Sequence, residues 1–188
     1  MAERLSEKLT VEEYIAMERE SEVKYEYIDG EVFAMAGGSD NHSLIATNCS
    51  GELRQVLRGT NCSAFNSDLK VKITDIKYVY PDFTVVCGER QFSDDARTML
   101  VNPILVGEVI SPSSENYDLG LKGEFYRSLP SVQAYLILDQ DKPRARLYTR
   151  HELGWLLREF NGLDATIPLD ALECQLKLSE AYLNVFDE

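Results

Sequence analysis

Ile104-Leu105-Val106-Gly107-Glu108-Val109-Ile110 constrains this chain more than any other stretch. Its apolar residues run continuously instead of alternating, the pattern of a strand covered on both faces at the centre of a sheet. Ser111-Pro112 stops it. Glu108 interrupts it, and an ionised carboxylate inside such a strand needs a partner. A second run has the same character: Tyr80-Pro81-Asp82-Phe83-Thr84-Val85-Val86 carries Asp82 among apolar residues. If the two strands are neighbours, the two acids converge on a cation. Ligation by oxygen alone suits Mg²⁺ or Mn²⁺. The competing reading puts Asp82 and Glu108 at strand ends, paired with Lys or Arg.

The flanking segments supply layers for such a sheet. Thr10-Val11-Glu12-Glu13 reads as a capping box opening a helix to about Ser21. Asp29-Gly30 separates Lys24–Ile28 from Glu31–Met35, a strong hairpin signal. After Gly37-Gly38, Ser39 or Asp40 caps a helix whose apolar residues Leu44, Ile45, Cys49, Leu53, Val56 and Leu57 recur at helical spacing to about Arg58. Strands are expected around Ala64, over Leu69–Ile73, Tyr78–Cys87 and Ile104–Ile110, then a helix over Tyr117–Ser128 weakened by Gly120 and Gly123. Val132–Asp139, Ala145–Thr149 and Trp155–Phe160 read as further strands, and the C-terminal tail is unassigned. The order predicts an α/β (mixed α+β) fold: a mixed β-sheet flanked by helices, with an N-terminal helix and β-hairpin.

Composition narrows the class. The 188 residues fit one domain spanning 1–188, without repeats or linkers, and 44% hydrophobic with 27% charged residues is a globular balance. The sequence has no bilayer-length apolar run and no apolar segment of a secretory signal near Met1–Lys8, so a cytoplasmic protein with no membrane partner is expected. Cys49, Cys62, Cys87 and Cys174 form no C-x-x-C or zinc spacing and are read as free thiols of a reducing compartment. The sequons at Asn41, Asn48 and Asn61 are then coincidences. The net charge of −13 opposes any protein that holds nucleic acid mainly by a basic field.

One further triplet bears on the two strand acids. Asp118, Lys122 and Tyr126 are spaced i, i+4, i+8 and share one helix face, from which Lys122 can reach back to the carboxylates. Its ammonium would orient a water or stabilise charge on a phosphate. The plainer alternative is a solvated Asp–Lys pair.

In order along the chain, Tyr25-Glu26-Tyr27-Ile28-Asp29-Gly30-Glu31, His42, Ser67-Asp68-Leu69-Lys70-Val71, Pro81-Asp82, Glu108-Val109-Ile110-Ser111-Pro112-Ser113 and Asp118 with Lys122 and Tyr126 resemble the Uma-two endonuclease family. That family lies within the PD-(D/E)XK restriction-endonuclease-like superfamily, and the resemblance runs from about Tyr25 to Tyr148. It implies a restriction-endonuclease-like core and a Mg²⁺- or Mn²⁺-dependent endonuclease acting on DNA. By the same resemblance Asp82 and Glu108 hold the metal, and Lys122 completes the catalytic set. The superfamily's Lys would stand at position 110, which is Ile110 here, and Lys122 matches a Lys displaced to the following helix. Glu26, His42, Asp68, Asp118 and Tyr126 are supporting candidates. Glu26 also reads as an outward hairpin residue, His42 as structural and Asp68 as a turn residue. Tyr25, Tyr27, Tyr78 and Tyr80 read as strand packing before base stacking.

Two rivals remain: a non-catalytic nuclease fold used for binding or dimerisation, and a two-carboxylate glycoside hydrolase. A homodimer is the expected arrangement if both strands of a duplex are cut. The acidity lies mainly at the ends. Residues 1–31 hold ten acids and four bases, and residues 151–188 eight and two, leaving 32–150 near neutral. Arg54, Arg58, Lys70, Lys72 and Lys77 supply local positive charge there. DNA affinity should then be weak and steeply dependent on salt and metal.

Overall fold

Two six-stranded sheets pack face to face, with helices on their outer faces. The computed structural model describes residues 3–5, 7–35, 37–112 and 114–186; Ser113 of the Ser-Pro-Ser motif lies outside the described residues. Along the chain run β1 (Glu3–Arg4), α1 (Val11–Glu20), β2 (Tyr25–Ile28), β3 (Glu31–Ala34), α2 (Asp40–Val56), β4 (Cys62–Asn66), β5 (Lys70–Thr74), β6 (Lys77–Val79), β7 (Phe83–Cys87), β8 (Met99–Leu100) and β9 (Leu105–Ile110). A helical stretch follows as α3 (Glu115–Tyr117), a π-helical turn (Asp118–Lys122) and α4 (Gly123–Ser128). The rest is β10 (Ala134–Asp139), β11 (Arg144–His151), β12 (Gly154–Asn161), β13 (Thr166–Leu169), a 3₁₀ turn (Asp170–Leu172), β14 (Cys174–Lys177) and α5 (Leu178–Ala181).

Local chemistry sets the first elements. Thr10 Oγ1 accepts from the Glu13 N–H at 3.2 Å and Glu13 Oε2 from the Thr10 N–H at 2.7 Å, the reciprocal cap that starts α1. Asp29 and Gly30 both take positive φ, 52° and 92°, as a two-residue hairpin turn requires, so Ile28 faces Glu31 across it. Ser39 caps α2, its Oγ accepting from the His42 N–H at 3.2 Å.

The sheets have orders β1-β3-β2-β6-β5-β8 and β12-β11-β10-β9-β7-β4. β9 and β10 are parallel, β5 and β8 are parallel, and the remaining pairs within these sheets are antiparallel, so both sheets are mixed. Every residue of β9 is buried, as its unbroken apolar run requires. Ile28, Val71 and Val79 of the first sheet meet Val106, Ile110 and Ile137 of the second in one core, with Phe125 and Tyr126 of α4. Ile45, Cys49 and Leu53 of α2 cover the second sheet's other face, joined by Ile167, Leu176 and Leu178 from the tail left unassigned above. Tyr14 of α1 covers the first sheet, stacking on Tyr27 at 4.9 Å, so this part of the tyrosine cluster is packing. Among the described residues no helix is long and apolar enough to cross a membrane.

Two expectations need correcting. Tyr78–Cys87 is not one strand: it divides into β6 in the first sheet and β7 in the second. Pro81 lies at the break and has no N–H to continue a ladder. Nor are all four cysteines free thiols. Cys62 and Cys87 are directly opposed on β4 and β7 and form a disulfide, while Cys49 and Cys174 are free.

The β7–β9 register opposes Phe83 to Gly107, so Asp82 and Glu108, one step along, are neighbours on the other face. A Cβ on Gly107 would stand 2.0 Å from the Phe83 ring. Gly107→Ala should therefore cost at least about 1–3 kcal/mol of stability through overpacking. Phe83→Leu should relieve part of that loss in the double variant, which urea denaturation of the four proteins of the cycle measures.

Candidate active site

Asp82 follows the crossing from one sheet to the other, and Glu108 lies beside it facing the inter-sheet core. From the opposite sheet, β2 directs Tyr25 and Tyr27 to one face and Glu26 to the other. The helical stretch after β9 brings in Asp118, Lys122 and Tyr126. These groups are deeply placed: Glu26 is 5% exposed, Glu108 3%, Asp118 6% and Lys122 5%.

Lys122 Nζ is the hub. It lies 2.9 Å from Glu26 Oε1, 2.9 Å from Glu108 Oε1 and 2.9 Å from the Tyr80 carbonyl oxygen, to which it donates. An ammonium has three donors, and these are three acceptors. The Tyr80 N–H donates to Glu26 Oε1 at 3.1 Å, Tyr117 donates to Glu26 Oε2 at 3.1 Å, and Tyr126 donates to Glu108 Oε1 at 2.8 Å. Burial alone would lower the Lys122 pKa, but Glu108 and Glu26 hold it well above the ordinary lysine value, so the group is a fixed cation.

Asp82 has a different environment. Its Oδ2 accepts from the Val109 N–H at 2.7 Å and lies 3.1 Å from His42 Nε2, which reaches it from the first turn of α2. Burial pushes Asp82 upward, but His42, the Val109 N–H and the Lys122 charge bring it below the usual carboxylate range. The same hydrogen bond, outweighing burial, holds the His42 imidazole above its ordinary value. Glu108 behaves oppositely. Burial, reinforced by Asp82 and Asp118 and opposed by Lys122, raises it well above the carboxylate range, and burial also raises Asp118. The two neighbouring strand acids thus favour different protonation states, one held charged and one drawn to a proton.

A cavity of about 370 Å³ opens onto this cluster, lined by Glu26, His42, Asp82, Glu108, Asp118 and Lys122 among others. Four carboxylates face it against one lysine and one histidine, an excess of negative charge that a cation would relieve. Asp82 Oδ1 and Glu108 Oε2 accept no hydrogen bond from a described residue. Two carboxylates with a free oxygen each, the remainder left to water and substrate, is a donor set that fits Mg²⁺ or Mn²⁺. Among the described residues no three His, Cys, Asp or Glu side chains already converge as ligands, and Lys122 stands between Glu26 and Glu108.

The structure brings together seven of the eight candidate residues. Asp68 lies apart: it is exposed, 2.5 Å from Lys24 Nζ, and accepts from Asn66 Nδ2 at 3.0 Å. The expected positive patch is largely consumed as well. Lys70 pairs with Glu18, Lys72 with Asp75 and Lys77 with Asp29, while Arg54 and Arg58 stay exposed. Sequence reasoning missed Tyr117 and the Tyr80 backbone, which anchor Glu26 and Lys122. The one available signal for Tyr80 was its place before Pro81, where a ladder must end.

The fold has a solved counterpart. The crystal structure of a "putative nuclease belonging to DUF820" from Anabaena variabilis ATCC 29413 superposes with a TM-score of 0.77, covering 95% of this chain and 99% of the other at 19% identity. The Uma2 family, described as "Putative restriction endonuclease", matches residues 11–181, and the chain belongs to that family. Two relatives from Synechocystis sp. (strain ATCC 27184 / PCC 6803 / Kazusa) are similar along most of its length. "Uncharacterized protein slr1290" is 39% identical over 84% of this chain and 83% of its own, and "Uncharacterized protein sll1609" is 35% identical over 85% and 91%.

Removing the central ammonium would leave two buried carboxylates facing each other. Lys122→Met should cost about 3–5 kcal/mol in urea denaturation. Adding Glu26→Gln and Glu108→Gln should recover most of that loss, because the cost comes from uncompensated charge.

Proposed function

We propose that the chain is a divalent-metal-dependent endonuclease that hydrolyses phosphodiester bonds in DNA. The observation that carries this reading is the convergence of Asp82, Glu108 and Lys122 on one cavity from three separate segments. Asp82 and Glu108 would hold Mg²⁺ or Mn²⁺ through their unengaged oxygens. Such an ion, when bound, supplies Lewis-acid polarisation of the phosphate and lowers the pKa of an attacking water. Lys122, locked as a cation, cannot act as a base at neutral pH; its part is to hold charge beside the phosphoryl oxygens. All three of its donors are engaged in the resting arrangement. Glu26 and the Tyr80 carbonyl anchor it, and its contact to Glu108 is the one that exchanges for a phosphate oxygen. His42 and the Val109 N–H fix the rotamer of Asp82 and keep it ionised.

Purified protein should nick supercoiled plasmid in Mn²⁺ or Mg²⁺ and not in EDTA. Asp82→Asn and Glu108→Gln should each lower the rate at least about a hundredfold, the scale for losing one preorganised charged group. Equal activity in wild type, Asp82→Ala and Lys122→Ala would mean a contaminant and overturn the assignment. The non-catalytic rival predicts no metal-dependent stabilisation. A true site adds about 2.7 kcal/mol when Mn²⁺ reaches a hundred times its Kd.

The raised Glu108 adds a pH signature. Below its pKa a proton occupies the oxygens that the metal needs, so Mn²⁺ affinity should tighten as pH rises. Calorimetry should show that dependence flattened in Glu108→Gln, and an equal slope in both proteins would contradict it.

A further inference from the structure

Beside the catalytic cavity lies a larger cleft of about 620 Å³, and the two share Met35, Gly37, Gly38, His42 and Asp82. The cleft is walled by the outer face of α2 with Ser43, Thr47 and Ser50, by Asn66 at the end of β4 and Ser67 after it, and by Lys24 before β2. The Ser43 and Thr47 hydroxyls make no hydrogen bond to another described residue. The cleft continues from the point where His42 meets Asp82, which gives the substrate a path to the reacting groups.

Resting on the nuclease reading, we propose that this cleft takes an unpaired strand, so that the substrate is single-stranded DNA or a single-stranded segment of a larger DNA. Two constraints lead there. The first is depth. Glu108, Lys122 and Asp118 lie almost wholly below the surface. A duplex is a stiff rod with a persistence length of about 50 nm, and bending a 20–30 base-pair stretch toward such a recess costs about 1–6 kcal/mol. A single strand is thin and flexible enough to place a phosphate there.

The second constraint is charge. A duplex carries one negative charge per about 1.7 Å of axis, and proteins that grip it neutralise a row of phosphates with Lys and Arg. Lys24 is the one Lys or Arg among the described residues that line the large cleft, and it is already bound to Asp68 and to the Ser67 carbonyl at 3.0 Å. Lys70, Lys72 and Lys77 are paired elsewhere. The cleft therefore offers no cationic rail, and Glu22 and Asp82 in its lining add negative charge; this weighs about twice as heavily on a duplex, whose charge per length is double that of one strand. It offers the unengaged hydroxyls of Ser43 and Thr47, which can hydrogen-bond the base edges of an open strand.

The test uses the 188-residue chain with Mn²⁺ and one oligonucleotide, presented alone and annealed to its complement. Cleavage and fluorescence anisotropy are measured in parallel, the latter with the Asp82→Asn variant as well. The single strand should be preferred at least about tenfold in kcat/KM and in affinity, roughly 1.4 kcal/mol. Thr47→Trp, which fills the cleft from an exposed helix position, should raise KM for the single strand by a similar factor. It should leave the Mn²⁺-induced rise in melting temperature unchanged. Equal or tighter binding of the duplex, or an unchanged KM in a folded Thr47→Trp protein, would overturn the inference. Preferential binding of the single strand without any cleavage would retain the inference and overturn the nuclease reading. Binding of neither form would overturn the inference.

Discussion

The buried ammonium of Lys122 is the interaction on which the rest of the site depends. It joins Glu26 of one sheet to Glu108 of the other, and its third donor holds the Tyr80 carbonyl where the chain crosses between them. Three acidic or carbonyl oxygens around one cation would be ruinous without it, since buried charge is tolerated only when paired and hydrogen-bonded. The contacts are local in space but remote in sequence, which is why one side chain fixes the relation of two sheets. A polar hub of this kind is a poor investment for stability alone. On the proposed reading, its charge at the bottom of the cavity serves the phosphate.

The fold prepares that use by placing opposite demands on two adjacent acids. Pro81 ends the ladder of the first sheet and delivers Asp82 to the rim of the second, where a backbone N–H and His42 keep it ionised. Glu108, one residue across the register, is enclosed by apolar strands and drawn toward its proton. Gly107 makes the pairing possible from behind, because the Phe83 ring occupies the space a side chain would need. The geometry that creates the site and the packing that supports it are thus one arrangement seen from two faces of the same strand pair.

Much of this was legible in the sequence because the signals were local. The capping box at Thr10, the Asp29-Gly30 hairpin, the fully apolar β9 and the cap of α2 each depend on residues within a few positions. The helical spacing of Asp118, Lys122 and Tyr126 also pointed the right way, although the turn between the first two is π-helical. What could not be read was set by distant partners. Glu26 faces inward because a lysine 96 residues later meets it there, and no pattern within the hairpin shows that. Tyr78–Cys87 looked continuous because hydrophobicity does not report which sheet a residue joins. The lysines of the middle segment looked available until their acidic partners, Glu18 among them, were seen in place. Cys62 and Cys87 lacked a spacing motif because strand pairing, not sequence proximity, brings them together.

On the proposed reading, Asp82 and Glu108 share a cation while Lys122 remains beside them. Anomalous diffraction from crystals grown in Mn²⁺ tests this directly. A single strong peak bound by Asp82 and Glu108, with Lys122 still held by Glu26 and the Tyr80 carbonyl, is the expected result. Well-ordered crystals in which the peak is absent from this cavity, with Lys122 still bridging Glu26 and Glu108, would contradict it.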